Sequence, residues 1–369
     1  MAASEADDLR VAVREFLKAN SPSSRVRELM ATEKGYDEVV WHKMAEQLGL
    51  HGVAVPEQYG GAGAGIRELS VVFEEMGATL MCSPFFSTVA MAVPAIISSG
   101  DQQAMTDYLP SLVDGTSTAT LAFNGRLDAW DPAAVTLTAQ RDGDGFRVSG
   151  DVAMVLDGHT ADLVLVAADS GAGISLLAIA SDADGMSCEP LATLDRTRKL
   201  AAITLNGAAA RLIGGEGAAA AGLAQTFDLA VVALAAEQVG AAQRCLDMAV
   251  DYARERIQFG RAIGSFQAVK HRCADMLVLV EGARSAAVHA AEAADKGDLS
   301  KAASVAKMAC SEAFLHVALD SMRIHGGIGF TWEHDAHLYV RRAKATQLIL
   351  GSPDFHAERL ANLVTSSSH

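Results

Sequence analysis

Two glycine-bearing loops hold the residue types best suited to grip a ligand. The first, "ERIQFGRAIGSFQAVKH", spans residues 255–271. Arg256 and Gln258 offer N–H donors to a phosphate, and Phe259 offers an apolar face to a ring, which suits a nucleotide-type cofactor. The same residues also read as the end of a long helix, with cations near its negative pole and a glycine cap before Gln267 starts the next helix. The second loop, "RIHGGIGFTWEH", spans residues 323–334. Its paired glycines, Gly326 and Gly327, let backbone amides approach an anion closely. No strand pattern precedes them, so this is not a dinucleotide-binding fingerprint, and glycine also serves a helix-to-helix turn on steric grounds alone.

Other groups invite a chemical reading beside a plainer one. Glu237 stands in the apolar run "ALAAEQVGAAQ". Burial there would raise its pKa and make it a base, whereas a cation from a neighbouring helix would make it half of an ion pair at a packing seam. His334 and His337 lie three apart, with no third ligand evident in sequence, and read as solvated or hydrogen-bonded side chains. Lys270, His271 and Arg272 read as a solvated helix surface. Five cysteines show neither C-x-x-C spacing nor an even count, which points to reduced thiols and a cytoplasmic setting.

The elements that must position these loops follow from composition and period. The chain has 369 residues, 50% of them hydrophobic, with 30 basic and 45 acidic side chains for a formal charge of −15. A core of that size implies two or three domains, and the negative charge excludes a broad surface for nucleic acid or anionic lipid. The acidic, periodic N-terminus and the interrupted alanine-rich runs predict no leader and no membrane span. Residues 1–115 carry helical spacing, as at Leu69, Val72, Phe73 and Met76. From 116 to 214 the period falls to two, with Val135, Leu137 and Ala139, then "RDGDG", then Phe146 and Val148 predicting a hairpin. From 215 to 369 long helical patterns return, broken at "FGRAIG", "KGDLS" and "HGGIGF", which predicts a four-helix bundle. The fold class expected is α+β.

In this order and setting the motifs are specific. The chain resembles the acyl-CoA dehydrogenase family along nearly its whole length, through "GLHGVAVPEQYGGAG", "GGEG", "ERIQFGRAIGSFQAVKHRCADM" and "RIHGGIGFTWEHDAHLYVRRAK". The resemblance implies an N-terminal helical domain, a middle β-domain, a C-terminal four-helix domain, and FAD shared across a subunit interface. It implies that Arg256, Gln258, Phe259 and Gln267 contact the pyrophosphate side of a neighbouring subunit's flavin, and that Gly326 and Gly327 accept its adenosine half. Arg323 stands beside them where many relatives have glutamine.

The departures from the family are concentrated elsewhere. The family reaction takes an α-proton from an acyl-CoA with a glutamate while hydride passes from the β-carbon to the flavin. The two usual sites for that glutamate correspond here to Leu350, in "KATQLILGSPDF", and to Ala230, followed by Val231 where an arginine is common. The T-E-P-x-x-G-S-D stretch that meets the flavin ring in relatives corresponds to "AFNGRLDAWD", and the ring-stacking and hydroxyl positions to Met154 and Leu156. A leucine cannot donate a hydrogen bond. The resemblance therefore implies a subunit that completes the FAD site of a paralogous catalytic partner, as in α2β2 heteromers, with an acyl-CoA substrate and electron-transfer flavoprotein as electron acceptor. Two alternatives stay open: a self-sufficient homomer with Glu237 as base, and a flavin-free scaffold.

Overall fold

The computed structural model describes residues 3–123 and 130–366. The N-terminal stretch is helical: α1 (Ala3–Asn20), α2 (Ser23–Ala31), α3 (Glu38–Leu48), α4 (Ile66–Thr79), a π-helical segment at Phe86–Ala92, α5 (Val93–Ser98) and α6 (Gln102–Val113). The glycine-rich segment after α3 is a compact turn in which a Cβ on Gly61 would collide with the Val55 carbonyl, so only glycine fits there. α4 buries Leu69, Val72, Phe73 and Met76, the face that the helical spacing anticipates.

Strands occupy the middle: β1 (Ala119–Ala122), β2 (Thr138–Asp142), β3 (Gly145–Leu156), β4 (Leu163–Asp169), β5 (Ile174–Ala180), β6 (Met186–Pro190) and β7 (Leu200–Ile213). β2 and β3 form the expected hairpin, with Asp142 opposite Gly145. The pairings run β4–β2–β3–β7–β5 and return to β4, so the mixed sheet closes on itself around Val148, Val164, Leu177 and Ile203. β1 and β6 add to β4 and β7. The β3–β7 register shifts between Val152 and Val155, a bulge that places Met154 at a φ of 62°.

The C-terminal stretch packs α7 (Ala220–Glu255), α8 (Gln267–Ala293) and α9 (Leu299–His325) as long helices. α10 (Ala336–Leu348) and α11 (Pro353–Ser366) pack in succession on α9, completing the bundle. α7 and the Leu299–Phe330 run are long and apolar enough to cross a bilayer, but 67% and 61% of their most apolar windows are buried inside the protein. α4 crosses α7 backbone to backbone: a Cβ on Gly77 would strike the Glu237 carbonyl, and one on Gly240 the Glu74 carbonyl. One hydrophobic cluster runs from Leu17 and Phe73 through Leu156 and Ala230 to Leu350, tying all three stretches into a single core.

Candidate functional site

The two glycine loops leave the bundle at the same end. α7 stops at Glu255, and residues 257–262 form a two-stranded hairpin, β8 (Ile257–Gln258) and β9 (Arg261–Ala262), that local periodicity did not foretell. Phe259 and Gly260 make its turn at φ 51° and 77°. Positive φ at both central residues matches the twist of a tight hairpin and is uncommon for an aromatic residue. The turn holds Phe259 91% exposed, edge-on to Phe266, whose other contact is the Arg261 guanidinium at 4.0 Å. Arg256 and Gln258 are exposed, and the Arg256 side chain has no hydrogen-bond or ion-pair partner among the described residues. Gln267, the first residue of α8, is exposed beside them.

α9 ends at His325, and Gly326 takes φ 66° and ψ −142°, a conformation open to glycine. A Cβ on Gly326 or Gly327 would meet nothing within 4 Å, so these glycines face open space. The join between the loops is a run of tilted ring contacts: the ring of Tyr252, one turn before Arg256, lies 4.6 Å from that of His325, and His325 lies 4.2 Å from His334. Arg323 is exposed and already bonded to Asp320 at 2.8 Å, which makes it a weaker anion donor than Arg256. Lys270, His271 and Arg272 lie on the exposed face of α8, with Arg272 3.4 Å from Asp320. His337 is buried edge-on to Trp332, and Asp335 is bonded by Arg27. Among the described residues no group of three His, Cys, Asp or Glu could hold a metal ion.

The interior is built differently. Leu350 and Ala230 are fully buried, and Leu350 sits at φ 58° with its carbonyl accepting from the His356 ring at 2.7 Å. Leu156 is also fully buried, its carbonyl accepting from Thr120 at 2.6 Å. Residues 124–129 of "AFNGRLDAWD" lie outside the described residues.

Glu237 meets two guanidinium groups. Arg342 Nη1 donates to its Oε1 at 2.7 Å and Arg198 Nη2 to its Oε2 at 2.5 Å. Arg342 also donates through Nε to Asp195 at 2.7 Å and through Nη2 to Thr197 at 2.6 Å. Burial alone would raise the Glu237 pKa, but Arg198 and Arg342 outweigh it and hold the carboxyl below its ordinary range. A carboxylate so held is a poor proton acceptor, which disfavours Glu237 as the base. Beside this network Asp157 accepts from Ser87 at 2.7 Å, and burial pushes its carboxyl up to about 6 despite Ser87 and Arg198. Sequence reasoning singled out Glu237 alone of this cluster. A charged pair separated by 39 to 147 residues leaves no local spacing to find.

Met154, Ile349 and Gly351 line one cavity of about 590 Å³ between the closed sheet and the α10–α11 turn. Of the substituted positions only Met154 lines this cavity; Leu350 lies in the chain between two lining residues, and Leu156, Ala230 and Leu350 are packed in the core.

Comparison with known proteins bears on both ends. Residues 3–116 match the family described as acyl-CoA dehydrogenase, N-terminal domain, and residues 215–364 match acyl-CoA dehydrogenase, C-terminal domain. Acyl-CoA dehydrogenase IpdE2 of Mycolicibacterium smegmatis is 36% identical over 356 residues, covering 96% of this chain and 97% of its own. Among solved structures, a variant of the Tcur3481-Tcur3483 steroid ACAD superposes with a TM-score of 0.91 at 35% identity, covering 100% of this chain and 99% of that one. The ChsE4-ChsE5 complex of Mycobacterium tuberculosis gives 0.89 at 30% identity, over 99% and 98%.

Proposed function

This chain belongs to the acyl-CoA dehydrogenase family of oxidoreductases, and we propose that within it the chain is the non-catalytic or half-site subunit of a heteromer, completing the FAD site of a paralogous catalytic partner. One observation carries the reading: Arg256, Gln258, Phe259, Gly326 and Gly327 are presented together and open at one end, while both base positions, Leu350 and Ala230, are sealed in the core. The residues present fit the ADP half of FAD. Arg256 supplies an unpaired cation for the pyrophosphate, Gly326 and Gly327 leave room for backbone approach, and Phe259 covers an apolar face. They do not fit the ring half, where Leu156 offers no donor, and Leu350 offers the reaction no carboxylate.

FAD held at this site would supply the hydride-accepting chemistry of α,β-dehydrogenation. This chain's residues hold and orient the cofactor from outside and move no proton themselves. The two-chain neighbours ChsE4-ChsE5 and Tcur3481-Tcur3483 support a heteromer, which we take to be α2β2, and the latter, a steroid ACAD, supports a steroid-type acyl-CoA as substrate class. Electron-transfer flavoprotein is the acceptor we assign to the complex, and the cytoplasm its compartment.

The test is purification alone and with a related chain that keeps both the T-E-P-type stretch and the glutamate. The chain alone is expected to hold no flavin, and the pair to be yellow and active. Stoichiometric FAD and acyl-CoA oxidation by the chain alone would overturn the reading.

A further inference from the structure

The cavity of about 590 Å³ bounded by Met154, Leu200, Ile349 and Phe355 has the size of a small-molecule site. Two leucines that also line it, Leu194 and Leu348, are 56% and 55% exposed, so apolar side chains stand at its mouth. Arg198 lines it too, with its side chain only 10% exposed, and therefore lies at the deep end. The Arg198 guanidinium rests on the Phe86 ring at 4.7 Å and gives Nη2 to Glu237, but its Nη1 is buried with no hydrogen-bond partner among the described residues. A buried donor left unpaired carries a desolvation cost that a ligand's acceptor oxygen would relieve. The other charged wall, Asp195, has both oxygens in use, one by Thr197 and one by Arg342.

Charge decides what the free N–H can take. Arg198 and Arg342 are balanced by Glu237 and Asp195, and Asp157 adds a further acidic group beside them. A carboxylate or phosphate entering there would be a surplus buried anion, whereas a neutral carbonyl oxygen satisfies the N–H without adding charge. We propose that this cavity binds an uncharged, largely apolar molecule, a ketone or an ester, whose carbonyl oxygen accepts from Arg198 Nη1. The proposal rests on the reading that this chain holds no flavin ring of its own; displacement by FAD marks a failure of that reading, and displacement by dodecanoate a failure of the ligand class alone.

The probe is 6-propionyl-2-dimethylaminonaphthalene, an apolar ketone whose emission reports both burial and hydrogen bonding at its carbonyl. Titrated into the full chain, it is expected to bind saturably at one site with blue-shifted emission. Leu348→Trp, at the exposed mouth and outside the ion network, is expected to abolish binding. Arg198→Met is expected to weaken the ketone by roughly ten- to hundredfold, the worth of one charge-assisted hydrogen bond, while leaving 2-dimethylaminonaphthalene, which lacks the carbonyl, unaffected. 2-Dodecanone should displace the probe and dodecanoate should not. Absence of saturable binding, binding that survives Leu348→Trp, or equal displacement by dodecanoate would overturn the proposal. Displacement by FAD or octanoyl-CoA at the concentrations where the ketone works would do so as well, assigning the cavity to a flavin or a thioester instead.

Discussion

The open end of the helical bundle and the sealed junction beneath the closed sheet are opposites in construction. At the open end, Arg256 is unpaired among the described residues, Phe259 is nearly fully exposed, and two glycines face empty space. At the junction, both positions where the family reaction places a carboxylate are apolar and buried, and Glu237 is locked between two arginines. Exposed side chains with no partner among the described residues are free to meet a contact from outside the chain. A buried ion pair, by contrast, commits its residues to holding the fold.

The largest effect that would sharpen this contrast comes from removing the hub of the sealed side. Arg342→Met leaves Asp195 and half of Glu237 without their cation in a site only 2–5% exposed, and should cost about 3–5 kcal/mol in urea unfolding. A loss below 1 kcal/mol would mean that the junction is solvated and the contrast weaker than drawn.

Next comes the pH dependence of the same side. Asp157 has its folded pKa raised by burial to about 6, above the ordinary value of 3.8. Between those two pH values the native state binds more protons than the unfolded state, so the contribution of this group is fully present below the lower value and is lost as pH rises through about 6. The amount is roughly 2–3 kcal/mol, at 1.36 kcal/mol per pK unit. Asp157→Asn should remove that pH-dependent step, read as the difference between wild-type and variant unfolding free energies across the range. A difference that does not change with pH would place Asp157 in water.

The open side should respond the other way. Arg256→Ala is expected to leave thermal unfolding of the chain unchanged, because a lone exposed cation contributes little to folding. In the co-expressed complex it should lower FAD affinity about ten- to hundredfold, the worth of a charge-assisted contact of roughly 1.5–3 kcal/mol, with lysine recovering part of the loss. Equal flavin retention by wild type, Arg256→Ala and Arg256→Lys would make the "RIQFGR" hairpin a helix terminus and nothing more.

The two sides also differed in how plainly the sequence declared them. Glycine spacing and the change of hydrophobic period from 3.6 to 2 are local signals. They marked the loops at 255–271 and 323–334, the β2–β3 hairpin and the long helices. The hairpin at 257–262 escaped because two residues per strand carry no period. The substituted positions Leu350, Ala230, Met154 and Leu156 stood out only against the family pattern, and that Leu350, Ala230 and Leu156 share one core cluster needed the fold. Arg198, Asp195 and Arg342 were invisible for the same reason. A cation in "HLYVRRAK" looks like any helix-surface cation until the structure buries it against residues far away in the chain.

The crossing of α4 and α7 has a further consequence. Because Gly77 and Gly240 bring the two helix backbones into direct contact, with no side chain between them to slide or repack, a helix from the N-terminal stretch and one from the C-terminal stretch must dissolve together. Subglobal opening divides a protein along its loosest seams. Here the tightest seam joins segments that lie on either side of the strands in the chain, so the strands in between are closed off as an excursion from one cooperative unit, and amide exchange in α4 should report the same opening as amide exchange in α7.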